Sequence, residues 1–219
     1  MPDAAKNIAR FVMRRILPMR ERKRRAALIA ALEEVAYQTE KCVARGFDAS
    51  TTIFNIALFL LIAERDIQAA KIDALTHPDP WHRSLNARII LLTVHGRDMD
   101  KVAGQKLKRA LETIKAPDAM KAEAVEALRA IRKAQRKAEG EFEFLRNATI
   151  AHRDPDAMAQ YRAITQLEEM KVLSLAAEFY DAADTFINLL PKIMLQSSSF
   201  PSVLAQFSNR DAKHALPRT

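Results

Sequence analysis

Glycine and cysteine are both scarce in this chain of 219 residues. Its four glycines, Gly46, Gly96, Gly104 and Gly140, are too few for many hairpin turns or for a glycine-rich loop that cradles phosphate. Its single cysteine, Cys42, excludes an internal disulfide and a cysteine-based zinc site, and it fits a reducing compartment. Ala, Leu, Ile, Glu, Lys and Arg are abundant instead, and all of them are helix formers.

A hydrophobic run long enough to cross a bilayer is also missing. The longest apolar stretch, Ile53 to Ala63, contains Asn55 and ends at three charged residues, so it predicts a buried helix. The first residues carry arginines throughout and never form the apolar core of a secretory signal. We therefore expect a cytoplasmic protein without a membrane span.

Apolar residues recur at steps of three or four along most of the chain, and no alternating strand pattern is present. The fold class that we predict is all-α, an antiparallel helical bundle. Predicted helices cover about 24–45, ending at Gly46, then about 51–75, 85–94, 98–114 and 118–152, with a bend near Gly140. A last long helix is predicted from a capping box formed by Thr165 and Glu168, and it extends to Pro191.

Positive charge is concentrated at the N-terminus. Residues 1–25 hold nine Lys or Arg against Asp3 and Glu21, which accounts for +7 of the formal net charge of +8. We predict a basic arm (1–25), a helical bundle domain (26–195) and a flexible tail (196–219). The arm is either a solvated, partly helical tail broken near Pro18 or a contact surface for RNA or another anionic partner. Its candidate RNA-binding residues are Arg10, Arg14, Arg15, Arg22, Lys23, Arg24 and Arg25.

Spacing alone indicates neither a metal centre nor a covalent nucleophile. The chain lacks the Glu-x-x-His spacing of di-iron bundles and the Gly-x-Ser-x-Gly pattern of hydrolases. His77 and His82 bracket Pro78-Asp79-Pro80-Trp81 and could bind a metal, but the sequence suggests no third ligand. The alternative is a rigid loop with Trp81 packed on the bundle. We therefore expect no metal and no cofactor.

One segment has a specific chemical pattern, LRNATIAHRD at residues 145–154. Arg146 and His152 have five residues between them, Asn147 follows the arginine, and AHRD ends the segment. This pattern resembles the HEPN superfamily of small helical domains, and in particular its abortive-infection branch. The resemblance covers 118–190 well and extends weakly to the helices before it, which gives an HEPN-like core at about 84–193.

The resemblance implies a homodimeric, metal-independent endoribonuclease of toxin or phage-defence type, with an antitoxin protein as a further candidate partner. Such enzymes use the RNA 2′-hydroxyl as the nucleophile at a composite Arg/His site between two protomers. His152 would transfer the proton, Arg146 would bind the scissile phosphate, and Asn147 would orient one of them. Arg153 is a further candidate contact to RNA.

Two other interpretations of the segment stay open. Six steps along a regular helix leave Arg146 and His152 about 120° apart around its axis, so the two side chains do not share a face. The chain could therefore be a non-catalytic helical dimerisation module that binds RNA, nucleotide or protein. In a purely structural role, Arg146 and Asn147 would anchor the predicted connector at 154–164, and His152 would cap the helix C-terminus. A similarly spaced pair, Arg88 and His95, lies in an apolar helix and is interpreted as structural.

Overall fold

The structure, a computed structural model, describes residues 3–96, 99–146 and 155–215 for the backbone, and 7–96, 99, 101–143, 145 and 155–209 for the side chains. Most of these residues are helical. The helices are α1 (Asp3–Arg45), α2 (Asp48–Thr76), α3 (Pro80–His95), α4 (Met99–Val102), α5 (Gly104–Thr113), α6 (Asp118–Arg146), α7 (Ala157–Thr165), α8 (Glu169–Ser197) and α9 (Phe200–Ala215). The predicted all-α helical bundle is confirmed. Within these ranges, no helix combines the length and apolarity needed to cross a membrane.

The chain divides into two compact units, and the long helices α1, α2, α6 and α8 contribute residues to both. Unit 1 comprises Met1–Ile29, Ala63–Arg97 and Arg132–Asp181, and unit 2 comprises Ala30–Ile62, Asp98–Ile131 and Ala182–Thr219. Each unit has its own buried apolar residues. The most deeply buried include Ala63, Ile67, Ile90, Leu91, Ala138 and Phe179 in unit 1, and Ile53, Ile56, Leu60, Leu107, Ile114 and Phe186 in unit 2.

Gly46 ends α1 as the sequence predicts. Its φ of 68° lies in the left-handed region, which glycine reaches without a Cβ clash. The amide of Gly46 donates to the carbonyl of Val43, and that of Phe47 donates to the carbonyl of Cys42, both at 3.0 Å. These two hydrogen bonds form a Schellman motif, which satisfies the last carbonyls of α1 and reverses the chain into α2.

The first half of α1 differs from the predicted broken tail. The helix begins at Asp3 and passes through Pro18, where the sequence predicts a break. Ion pairs to α2 lie on both sides of the proline, Arg14 with Asp73 at 3.9 Å and Glu21 with Lys71 at 2.9 Å. Their register shows that this part of α1 runs antiparallel to α2. Proline disfavours a position inside a helix, and at Pro18 the helix is flanked on both sides by contacts with a neighbouring helix.

The end of the chain also differs from the predicted flexible tail, because α9 is helical and packed within unit 2. The hydroxyl of Ser202 donates to the carbonyl of Ile114 at 2.5 Å. The side-chain oxygen of Gln206 accepts from the amide and the hydroxyl of Ser50 at 3.1 and 3.0 Å. Phe207 meets Phe47 edge to face, with ring centroids 4.9 Å apart. The predicted boundaries at 25 and 195 stay predictions of domain organisation, although α1 and α8 run through them.

The later helices follow the predicted pattern with corrections. The helix expected to end at Pro191 runs through that proline to Ser197, and the one expected over 98–114 is divided into α4 and α5. The bend expected at Gly140 lies at Phe142, whose φ of −129° and ψ of 16° are not helical. The predicted capping box is wrong, because Thr165 is the last residue of α7 and its hydroxyl donates to the carbonyl of Tyr161 at 2.9 Å. The segment predicted as a connector before Thr165 is largely α7, and α8 begins at Glu169.

Candidate functional site

Most of the predicted Arg/His site lies outside the residues that the structure describes. Asn147, His152 and Arg153 belong to the undescribed range 147–154, and of Arg146 only the backbone, at the end of α6, is described. The roles of these four residues, and the distance between Arg146 and His152, stay predictions. What the structure does describe is the chain on either side of them.

The chain before this segment is held against α8 in unit 1. Phe142 and Leu145 are buried. The Lys171 ammonium of α8 pairs with the Glu141 carboxylate at 3.2 Å and lies 5.7 Å from the centre of the Phe142 ring. One turn earlier in α6, Lys137 pairs with Glu178 at 2.5 Å. Both pairs show that α6 and α8 are antiparallel here, and that the last described turns of α6 are anchored.

The chain after the segment is anchored as well. The Asp156 carboxylate accepts from the amides of Met158 and Ala159 at 2.9 and 3.1 Å, which caps the N-terminus of α7. The far end of α7 is joined to α3 by the Ser84 hydroxyl, which donates to the carbonyl of Ile164 at 3.0 Å. The predicted site is therefore bracketed in the sequence by two anchored helices.

Two predicted RNA-binding residues of α1 are engaged in ion pairs with α2. Arg24 donates through Nε and Nη2 to the Glu64 carboxylate at 3.2 and 3.0 Å, and Arg14 pairs with Asp73. The hydroxyl of Tyr180 donates to the backbone carbonyl of Glu64 at 2.9 Å. Burial, with a contribution from the Glu64 carboxylate, raises the pKa of Tyr180. These contacts give Arg14 and Arg24 a structural role in joining α1 to α2, so they are less available to an anion.

Four of the other predicted RNA-binding residues of α1 are exposed. Arg15, Arg22, Lys23 and Arg25 form no ion pair with any other described residue, and Arg10 is half-buried. The guanidinium of Arg15 lies 4.6 Å from the centre of the Phe11 ring. Large apolar side chains are interspersed with these cations, since Phe11 is 60% and Met19 is 77% exposed. We call the four exposed cations the α1 basic face.

Arg88, the arginine of the second Arg/His pair, lies in a buried position, as expected for a structural residue. Arg88 is buried in α3, and its Nε donates to the carbonyl of Ser84 at 3.4 Å. Burial lowers the pKa of Arg88, because a charged guanidinium is less stable away from water. A buried cation of this kind is poorly placed to meet a phosphate in solution.

The loop between α2 and α3, together with the first turn of α3, holds a cluster of three potential metal ligands, of which the sequence indicates two. His77 and His82 are brought together, with ring centroids 4.2 Å apart and ring planes at 21°. Asp79 supplies the third potential ligand that the sequence did not suggest, and its Oδ2 lies 3.0 Å from Nδ1 of His82. The hydrogen bond from His82, followed by that from the Trp81 amide, lowers the pKa of Asp79. Trp81, which the sequence predicts to pack on the bundle, is 47% exposed.

Comparisons of the chain with family models, curated proteins and solved structures found no match. The likeness to HEPN domains therefore rests on the residue pattern around Arg146 and His152.

Proposed function

We propose that this chain is an HEPN-like, metal-independent endoribonuclease that acts as a toxin or phage-defence effector. The observation that carries the proposal is the pattern Arg146-Asn147 followed by Ala151-His152-Arg153-Asp154, which begins at the last residue of α6 and precedes α7 in the sequence. The exposed α1 basic face gives further support, because unpaired cations attract the phosphates of RNA.

The proposed reaction uses a nucleophile that RNA itself supplies. The 2′-oxygen attacks the adjacent phosphorus and loses its proton, the bond from phosphorus to the 5′-oxygen breaks, and that oxygen takes up a proton. The products carry a 2′,3′-cyclic phosphate and a 5′-hydroxyl. His152 would transfer a proton as general acid or base, because imidazole titrates near neutral pH. Arg146 would hold the phosphate and stabilise its developing charge, and Asn147 would orient the phosphate or the histidine.

The site would be composite, with two protomers contributing to one cleft. Two residues six positions apart on a regular helix face different directions, so one protomer alone would not bring Arg146 and His152 together on such a helix. A homodimer brings a second copy of each side chain to the interface, so Arg146 of one protomer can meet His152 of its partner.

The experiment is RNA cleavage by the full chain with EDTA present, comparing wild type with Arg146→Ala and His152→Ala. We expect cleavage by wild type, products with 2′,3′-cyclic phosphate ends, and a loss of about 100-fold or more in both variants, because each removes a catalytic interaction. A DNA strand of the same sequence should stay intact, since it lacks the 2′-hydroxyl. Growth arrest on expression should be lost together with cleavage.

The matched control is His95→Gln, which removes the histidine of the similarly spaced pair in α3 and should leave cleavage unchanged. Circular dichroism and thermal unfolding establish that the variants remain folded. Equal cleavage by wild type, Arg146→Ala and His152→Ala, or no cleavage by wild type, contradicts the ribonuclease.

A second candidate function is a helical dimerisation module that binds RNA, nucleotide or protein without cutting. The exposed apolar residues of α1 favour it, because Phe11 and Met19 offer a contact that RNA phosphates do not need. RNA binding by wild type that is retained in His152→Ala, with no cleavage by either protein, would support this second function over the first.

A further inference from the structure

The loop between α2 and α3, together with the first turn of α3, gathers three potential metal ligands within unit 1. His77, Asp79 and His82 each offer one ligand atom, and these three atoms all lie within 4.8 Å of one another. We propose that this cluster, which we call the histidine loop, binds a transition-metal dication such as Zn²⁺. Imidazole nitrogens and a carboxylate oxygen are ligands that zinc accepts, and three protein ligands leave a position open for water or another group.

The spacing of Asp79 and His82 already suits a shared ion. Asp79 Oδ2 and His82 Nδ1 are 3.0 Å apart. Two ligands of one tetrahedral zinc lie about 3.3 Å apart, given zinc–nitrogen and zinc–oxygen bonds of about 2.0–2.2 Å. A zinc ion bound by both groups would replace the proton that they share and would lie to one side of the line between the two atoms.

His77 needs a larger adjustment, and its surroundings allow it. Its ring is stacked on that of His82, so it must turn about its side-chain bonds to direct a nitrogen at the shared ion. This turn would break one hydrogen bond, in which Nδ1 of His77 accepts from the amide of Asp79 at 3.2 Å. His77 is half-buried and Asp79 is exposed, so water can take over that amide.

The backbone that carries these ligands is held in place by contacts that a metal would leave intact. Asp79 Oδ1 accepts from the amide of Trp81 at 3.0 Å and caps α3, while Oδ2 is the oxygen that faces His82 Nδ1. The Arg83 guanidinium donates to the carbonyls of His77 and Pro78 at 2.9 and 3.1 Å and pairs with Glu169 at 3.4 Å. The positive charge of Arg83 is thereby compensated by oxygens. A preorganised loop reduces the ordering that metal binding must supply.

This site is independent of the proposed ribonuclease, whose chemistry needs no metal, and its test involves no RNA. The full chain is stripped of metal with EDTA, exchanged into clean buffer, and titrated with ZnCl₂ alone in a calorimeter. Co²⁺ replaces Zn²⁺ in a parallel titration, because its visible absorption reports the ligand geometry. We expect one ion per chain and a melting temperature that rises with Zn²⁺ concentration.

Three variants remove one ligand each: His77→Gln, His82→Gln and Asp79→Asn. Each should weaken Zn²⁺ binding at least about tenfold, since even the loss of groups that merely support a ligand has an effect of this size. Asp79→Asn is the most informative, because asparagine caps a helix as well as aspartate does and the start of α3 is preserved. The double variant His77→Gln/His82→Gln should bind no Zn²⁺ at this site.

The control is His214→Gln, which removes a histidine of α9 and should leave the affinity unchanged. Circular dichroism in EDTA should be the same for all the proteins, so that a lost affinity is not a lost fold. An absence of Zn²⁺ binding by wild type, or equal affinities of wild type and the double variant, overturns the proposal.

Discussion

Glu21 and Lys71 form an ion pair that joins α1 to α2, with 2.9 Å between carboxylate oxygen and ammonium nitrogen. Partial burial raises the pKa of Glu21, but the hydrogen bond and the charge of Lys71, with help from Gln68 and Arg24, outweigh burial, and the pKa lies below its usual value. A depressed pKa in the folded chain means that the carboxylate stabilises the fold above its unfolded pKa, and that this contribution disappears as pH falls through the folded pKa.

We predict that Glu21→Gln lowers the free energy of unfolding by about 0.5–1 kcal/mol at pH 7, the upper range for a partly exposed pair. The difference from wild type should shrink as pH falls below about 4.3, the usual pKa of glutamate. Urea unfolding of wild type and Glu21→Gln at several pH values measures this difference in the free energy of unfolding.

The matched control is Glu126→Gln, which makes the same substitution in the exposed pair of Glu126 with Arg129 on α6. Its effect should be close to zero at every pH, because both partners are solvated. A difference between wild type and Glu21→Gln that is the same at pH 7 and at pH 3 would contradict this role of Glu21.

Single residues could be predicted where the backbone geometry itself selects them. Gly46 was predicted as a helix stop because glycine reaches positive φ at low cost. Thr165 and Glu168 show the opposite case. Their spacing fits a capping box, but Thr165 is the last residue of α7, and the N-terminus of that helix is capped by Asp156. Asp79 was missed as a ligand because its closeness to both histidines depends on how the loop folds, which spacing does not reveal.

At the scale of the helix, α1 combines a side packed on α2 with the exposed α1 basic face. We predict that changing Arg15, Arg22, Lys23 and Arg25 together to Gln weakens RNA binding and makes it less dependent on salt. Each lost phosphate contact on single-stranded RNA should reduce the slope of log affinity against log salt by about 0.7. Binding of a labelled RNA at several salt concentrations measures the slope.

A protein with the same change in net charge serves as the control for α1. Lys106, Lys108, Arg109 and Lys133, which are exposed on α5 and α6, are changed to Gln in that protein. Its salt slope should stay close to that of wild type. Equal slopes for the two quadruple variants would mean that RNA responds to net charge rather than to the α1 basic face.

α2 and the central part of α6 were predictable from the sequence, whereas the first half of α1 and α9 were not. α2 and the central part of α6 have the periodic apolar residues of buried helices, and both match their predictions as far as the structure describes them. The described contacts of the first half of α1 and of α9 include distant partners such as Asp73, Ser50 and Ile114. Local patterns do not contain such contacts, which explains why Pro18 suggested a break and residues 196–219 a flexible tail.

At the scale of the whole molecule, composition was sufficient to predict the fold class. It was not sufficient to predict how the chain divides into compact units. Scarce glycine and abundant helix formers predicted an all-α bundle, which is confirmed. The division into two compact units was not predicted, because it depends on which residues of each long helix contact one another. The proposed site stays a prediction, since Asn147, His152 and Arg153 lie outside the described residues.

The central claim is that Arg146 of one protomer and His152 of its partner form one ribonuclease site, and a mixing experiment tests it directly. Arg146→Ala and His152→Ala are each inactive in this scheme, because both sites of either homodimer lack a catalytic group. A mixed dimer of the two variants has one site with both side chains intact and one site with neither.

The measurement is the rate of RNA cleavage, with EDTA present, by a 1:1 mixture of the two variants after their subunits have exchanged. Half of the dimers are then mixed and each has one of its two sites intact, so the rate should be about a quarter of the wild-type rate. A mixture that cleaves no faster than either variant alone, beside an active wild type, would contradict the composite site.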